Sequence, residues 1–250
     1  CYNNCMNYFL YAILGIAPSV IWLLFYLHKD VHPEPKRTIL LVFLGGALMG
    51  PIALLFQFFI MSALAPSSPW PTLFASFSQN NYLFFLNIVA FAPLSEELLK
   101  YLVVRWRVLK NPDFDEPLDV MIYLIVSALG FAATENLLNI FLMPNVTLQL
   151  AFSQATIRFL SATLLHALAS GILGYFIACS FLNLRRKNFI VLIGFSLAVL
   201  LHGFYNYLAW LFVSDKTFAL IIALLLIAMA GLVSWQFRDL KKHLSICKIR

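Results

Sequence analysis

Seven runs of about 20 or more mostly apolar residues dominate the sequence, and each is long enough to cross a membrane as a helix. Cut at charges and at proline or asparagine clusters, the runs lie near 8–27, 38–64, 81–104, 119–143, 153–182, 189–212 and 217–236. The chain is only 11% charged, against about a quarter in soluble domains. Barrel strands would be about 10 residues long and would alternate in polarity. The sequence therefore predicts an all-α, multi-pass protein of the plasma membrane, with residues 1–250 forming one helical transmembrane domain.

The basic residues indicate how the chain is oriented in the membrane. Lys and Arg follow the odd-numbered runs, whereas the connections 65–80 and 144–152 contain none and 213–216 contains only Lys216. By the positive-inside rule, the N-terminus is outside and the C-terminus is cytoplasmic. The net charge of +6 is thus explained by topology, and we do not expect a nucleic-acid partner. The clusters are Lys29, Lys36 and Arg37; Arg105, Arg107 and Lys110; Arg185, Arg186 and Lys187; and Arg238, Lys241, Lys242, Lys248 and Arg250.

A few ionisable residues lie inside the apolar runs, where each costs roughly 2.5–3.5 kcal/mol on insertion scales. Such residues usually face a bundle interior or a wet cavity and carry function. The acids are Glu96, Glu97 and Glu135, the imidazoles are His166 and His202, and the accompanying amides are Asn87, Asn136, Asn139 and Asn206. These side chains are the candidates for a functional site.

The third run places two acids next to one another with a lysine one turn later. Either Glu96 or Glu97 can reach Lys100 on a helix surface, because the spacings are four and three residues. Successive side chains point about 100° apart, so we expect one acid to pair and the other to face a cavity. Pro93 removes a backbone hydrogen bond and can open the helix just before the acids. A plain ion pair, with Lys100 extending outward to the interface, stays open as the alternative.

Polar side chains on three other runs lie at similar depth. Glu135 shares a helix face with Asn139, Ser170 follows His166 by one turn, and Asn206 follows His202 by one turn. Counting about 1.5 Å per residue places Glu96, His166 and His202 within roughly 10 Å of one depth, with Glu135 somewhat further out. Four helices can therefore converge on one polar pocket.

This combination resembles a known family. The set Glu96-Glu97-x-x-Lys100, Phe131-x-x-x-Glu135-Asn136, His166-x-x-x-Ser170-Gly171 and His202-x-x-x-Asn206 resembles the PrsW family of intramembrane proteases, within the superfamily of CAAX prenyl proteases and bacteriocin-processing enzymes. The resemblance extends from about His28 to Tyr207.

The resemblance implies a metal-independent, glutamate-dependent endopeptidase with no cofactor. It implies that Glu96, helped by Glu97, activates water, and that His202 and Asn206 bind the oxyanion. Either His166 or Glu135 would move the proton, with Lys100, Asn136 and Ser170 in support. The implied substrate is a membrane-anchored protein such as an anti-sigma factor, and the oligomeric state is undetermined. Peptide hydrolysis requires these functions: a base, a proton for the leaving amine and donors for the oxyanion.

Three other interpretations stay open on the sequence alone. Carboxylates and two imidazoles are also ligands for a divalent metal such as zinc, although no His-Glu-x-x-His motif is present. A non-catalytic scaffold or immunity protein of the same superfamily is the second interpretation. A transporter or proton relay is the third, since intramembrane acids suit that role too. The four cysteines show no metal spacing and predict no disulfide framework, with a Cys1–Cys5 pair left open.

Overall fold

The computed structural model describes residues 2–30, 32–64, 81–109 and 116–242, with the backbone alone for residues 2–6 and 81. Within these ranges the regular elements are helical. The helices are α1 (Tyr2–Leu27), α2 (Lys36–Leu64), α3 (Asn81–Leu86), α4 (Ala92–Arg107), α5 (Pro117–Phe141), α6 (Leu148–Leu160), α7 (Ala162–Leu182), α8 (Lys187–Ser214) and α9 (Phe218–Leu240). A π-helical turn, Asn87–Phe91, joins α3 to α4, and a 3₁₀ turn, Leu184–Arg186, precedes α8.

Seven helical stretches in the described ranges are long and apolar enough to cross a membrane. They are Asn7–Leu27, Lys36–Leu64, Tyr82–Arg107, Pro117–Phe141, Leu148–Leu182, Leu184–Ser214 and Phe218–Leu240. The predicted all-α fold with seven spans is confirmed. The orientation in the membrane and the single domain over 1–250 stay predictions. Several positions named above lie outside what the structure describes, namely the connection 65–80, Lys110, Lys248, Arg250, Cys1, the Cys5 side chain and Cys247.

Two spans are broken rather than continuous. The fifth span consists of α6 and α7, which meet at Ser161 with φ −126° and ψ −93° although neither Pro nor Gly is present there. The third span is broken by the π-helical turn that ends one residue before α4, and Pro93 occupies the first turn of that helix. The break at Pro93 agrees with the sequence, whereas the one at Ser161 has no sequence signal that we recognise.

Helix α5 is the central element, because its residues from Pro117 to Ala133 are all buried. Glycines allow two neighbours to approach it closely. A Cβ atom on Gly130 would collide with the carbonyl oxygen of Phe43 in α2, and one on Gly174 in α7 would lie 2.6 Å from the Cα of Met121. Because α2 and α7 approach α5 so closely, polar side chains on these helices are brought near one another.

Candidate active site

Glu97 lies at the centre of a buried polar cluster contributed by α4, α7 and α8. Its carboxylate, which is fully buried, accepts hydrogen bonds from Lys100 Nζ at 2.7 Å and from Ser170 Oγ at 2.6 Å. Nδ1 of His202 lies 2.9 Å from Oε1 of the same carboxylate. Both oxygens of Glu97 are therefore engaged, and the residue ties three helices together.

Lys100 points inward and is fully buried. Its Nζ lies 2.8 Å from Nδ1 of His166 and 4.6 Å from the centroid of the Phe131 ring, in addition to its bond to Glu97. The alternative in which Lys100 extends outward to the membrane interface is therefore wrong.

Glu96 differs from its neighbour in lacking a strong partner. Its Oε2 atom lies 3.7 Å from His202 Nε2 and 4.0 Å from His166 Nδ1, and Lys100 Nζ is 3.9 Å away. None of these contacts is a hydrogen bond, and this buried oxygen has no hydrogen-bond partner among the described residues. The other oxygen accepts a long bond of 3.4 Å from Gln57 Nε2. A buried acceptor facing two imidazoles without a bond to either marks a place where another group can bind.

Glu135 joins the same cluster from α5. Its Oε2 lies 2.7 Å from His166 Nε2, and its Oε1 lies 2.9 Å from a terminal nitrogen of Arg158. Arg158 also donates through Nε to the Oδ1 of Asn136, whose amide donates to Thr163 at 3.0 Å. Arg158 is almost completely buried, so this cation lies deep in the protein.

A cavity of about 510 Å³ opens beside the cluster, between α2, α5 and α6. Glu96 and Glu135 lie at its inner end, and it extends along α5 to Leu142 and Met143. Gln57, Asn139 and Gln154 add amides to a wall that is otherwise largely apolar. A pocket with a few polar groups at one end suits a short peptide segment.

The structure brings Glu96, Glu97, Lys100, Glu135, His166, Ser170 and His202 into one connected cluster. Asn206 is placed differently, because its amide donates to the carbonyl of Ile88 in the π-helical turn at 3.0 Å. That carbonyl belongs to a segment whose regular helical bonding is interrupted, and Asn206 satisfies it. Asn136 contacts Arg158 and Thr163 and so supports the cluster from one step away.

Sequence reasoning missed two residues of the site, Gln57 and Arg158. A signal existed for Arg158, since it is the sole Lys or Arg in the predicted span 153–182 and costs as much there as the acids do. Gln57 stands out less, because a single neutral amide in an apolar span is cheaper to bury. Its place beside Glu96 depends on how α2 packs against α4.

Three possible metal ligands lie within 4.8 Å of one another, namely one carboxylate oxygen of Glu96 and one ring nitrogen each of His166 and His202. Oxygen and imidazole nitrogen are the donors of three-ligand catalytic zinc sites. Each imidazole has its second nitrogen at hydrogen-bond distance from a carboxylate, Glu97 for His202 and Glu135 for His166. Metal-bound histidines commonly have such partners, so the residues present fit a metal.

The comparison with protein families decides the assignment. The model of the PrsW family of intramembrane metalloproteases matches residues 34–233. The chain belongs to this family.

A protease PrsW from Geobacillus kaustophilus is 29% identical over 216 residues, which cover 86% of this chain and 85% of the relative. The proteins of that name from Oceanobacillus iheyensis and Bacillus subtilis are 31% and 28% identical, over 78% and 80% of this chain and 80% and 83% of the relatives. No solved structure matches the chain.

The protein is therefore a multi-pass intramembrane protease, as the resemblance to the PrsW family implied. The scaffold and transport interpretations receive no support from this family. The expectation of a cofactor-free, metal-independent enzyme is wrong, because the family is described as a metalloprotease family and Glu96, His166 and His202 form a donor set that fits a metal. Neither the missing His-Glu-x-x-His motif nor the position of the two histidines on different spans excludes a metal, because ligands from three different helices can meet without any local motif.

Proposed function

We propose that this PrsW protease hydrolyses a peptide bond in a membrane-anchored protein, such as an anti-sigma factor, at the point where Glu96, His166 and His202 meet. The observation that supports this proposal is that one carboxylate and two imidazoles converge, and that the carboxylate, Glu96, also lines a peptide-sized cavity.

Glu96, His166 and His202 would hold a divalent metal ion. When bound, such an ion polarises a carbonyl and lowers the pKa of water to about 7. Nδ1 of His166 now lies 2.8 Å from Lys100 Nζ, so binding through this nitrogen requires that contact to open. The assignment replaces the expected role of Glu96 as the base that activates water with the help of Glu97.

The carboxylates of Glu97 and Glu135 orient the imidazoles. Glu97 fixes His202 through Nδ1, which leaves Nε2 directed toward Glu96, and Glu135 holds His166 through Nε2. Lys100 and Ser170 in turn fix Glu97, and Asn136 helps to place Arg158 beside Glu135. Rigid support of this kind keeps reacting groups in position.

We assign the proton transfer between the attacking water and the leaving amine to Glu135. It is the second carboxylate lining the cavity, and 35% of its side chain is exposed, so water beside a bound peptide can reach it. It accepts a proton from the attacking water and returns it to the leaving amine, with His166 at 2.7 Å as its partner.

We assign hydrogen-bond donation to the oxyanion to the amide of Gln57, in place of Asn206. Among the described residues, its Nε2 makes two long contacts, 3.4 Å to Glu96 and 3.5 Å to Ser95, and Gln57 lines the cavity. A weakly held donor can turn toward an oxygen that gains charge during the reaction.

Substrate entry follows from the position of the cavity. The cavity reaches Leu142 and Met143 just beyond the end of α5, which the positive-inside rule places toward the outer face. We therefore propose that a segment of the substrate enters between α2 and α6 from that side.

The test uses purified protease in liposomes with a candidate single-span membrane protein. We expect cleavage that stops after chelation and returns with added zinc. At saturating zinc, which offsets any loss of metal affinity caused by the change beside His166, we expect Glu135→Gln to cleave at least about 100-fold more slowly, because a proton-transfer group contributes about 10²–10⁴. Cleavage that persists without metal, or a fully active Glu135→Gln enzyme, would contradict the assignment.

A further inference from the structure

A second cavity lies between α1 and α9, and Leu164 of α7 also lines it. Its volume is about 380 Å³. The two helices meet where the ring of Tyr26 stacks on Phe237, with centroids 6.0 Å apart. The remaining apolar wall is formed by Trp22, Phe25, Ala230 and Val233. We call this cavity the α1–α9 slot.

Three cationic side chains lie at one end of the slot, namely Lys29, Arg238 and Lys241. All three are exposed, and none makes an ion pair with a described residue. No acid lines the slot, and the neighbouring Asp239 accepts from Tyr175 Oη at 3.0 Å instead. The slot is therefore apolar along its length and positively charged at one end.

The length of the slot matches one leaflet of a bilayer. From Ala230 to Lys241 the rise along α9 is about 16 Å, at 1.5 Å per residue. One leaflet contributes about 15 Å of the roughly 30 Å hydrocarbon core. The cations lie near the ends of α1 and α9, where headgroups are expected.

The slot is built from residues outside the catalytic machinery. Lys29, Arg238 and Lys241 also fall outside residues 34–233, the part matched by the family model. A ligand held by these three cations would therefore lie apart from the residues of the proposed proteolytic reaction.

We propose that the α1–α9 slot binds one anionic phospholipid, with an acyl chain along the apolar wall and the phosphate at Lys29, Arg238 and Lys241. Basic pockets between transmembrane helices recognise such headgroups, and each Lys or Arg near a charged membrane surface contributes about 1 kcal/mol. A free phosphate would use the cations but would leave the apolar wall empty.

The test measures binding of dioctanoyl phosphatidylglycerol and dioctanoyl phosphatidylcholine to the full chain in detergent by native mass spectrometry. We expect the anionic lipid to bind at least about tenfold more tightly, a preference that the triple variant Lys29→Gln/Arg238→Gln/Lys241→Gln loses. The matched control is Arg185→Gln/Arg186→Gln/Lys187→Gln, which removes three charges from a different cavity and should keep the preference.

A second variant tests the apolar wall with all charges intact. Ala230→Trp fills the slot and should also reduce binding of the anionic lipid at least about tenfold, which decides the question if the triple variant does not fold. Equal losses in both triple variants would overturn the proposal, because they would show general surface attraction. No preference in the unmodified protein would also overturn it, as would competition by glycerol phosphate as strong as that by the lipid.

Discussion

The polar cluster has two sides that differ in how completely their groups are paired. On the buried side, Glu97 engages Lys100, Ser170 and His202, and its side chain is 0% exposed. On the cavity side, one oxygen of Glu96 lies unpaired among the described residues, and Glu135, although it contacts His166 and Arg158, has 35% of its side chain exposed. The two glutamates at 96 and 97 are adjacent in the chain, yet both oxygens of Glu97 are paired and one oxygen of Glu96 has no hydrogen-bond partner among the described residues. Side chains whose hydrogen bonds are complete can orient neighbouring side chains whose hydrogen bonds are incomplete.

The largest effect is expected on the cavity side. Glu96→Gln keeps the shape of the side chain but removes the charge that faces both imidazoles, so cleavage should fall by about 10⁴-fold. The folded yield and the melting temperature in detergent should stay close to those of the unmodified protein, because Glu96 makes no strong bond. Unchanged cleavage would contradict the proposed role of Glu96.

The matched change on the buried side should act on stability first. Glu97→Gln leaves the Lys100 ammonium buried without its carboxylate, and breaking a buried ion pair costs about 3–5 kcal/mol. Unfolding by a denaturing detergent measures this loss. The control is Glu97→Gln/Lys100→Met, which removes both charges and should recover much of the stability. Loss of cleavage in Glu97→Gln without any loss of stability would erase the distinction between the two sides.

Arg158 connects the two sides through Glu135. Arg158→Met removes the cation that holds Glu135 and should weaken zinc affinity by about 10–100-fold, because Glu135 orients His166. Arg158→Lys should recover only part of this loss, since one ammonium cannot reproduce the planar guanidinium that contacts both Glu135 and Asn136. Metal affinity is measured by competition with a zinc chelator. Full affinity in Arg158→Met would contradict the positioning role.

The smallest effect is expected at Asn206. Its amide bonds to the Ile88 carbonyl, and a single hydrogen bond between transmembrane helices contributes about 0.6 kcal/mol. Asn206→Ala should therefore lower stability slightly and leave kcat within about threefold. A fall in kcat of about 100-fold with unchanged stability would return Asn206 to the oxyanion role.

Much of this arrangement could be predicted from the sequence. The length and polarity of the apolar runs are enough to predict seven membrane spans. Helical spacing is enough to predict that Glu96 and Glu97 face different surroundings. The rise per residue of a helix is enough to predict that Glu96, His166 and His202 lie at similar depth in the membrane.

The missed features depend on packing between helices. The partner of Asn206 is set by the π-helical turn at Asn87–Phe91, which gives Ile88 a carbonyl that needs a donor. The contact of Gln57 with Glu96 depends on how α2 crosses α4. The proposed metal site draws one ligand from each of three helices, so no local spacing reveals it.

The most direct test of the central claim is the metal content of the purified protein, measured by mass spectrometry after equilibration with zinc and removal of the free ion. We predict about one zinc ion per chain in the unmodified protein, and less than about a tenth of that in Glu96→Gln and in His202→Ala. No bound zinc in the unmodified protein, or full occupancy in both variants, would contradict a metal site formed by Glu96, His166 and His202.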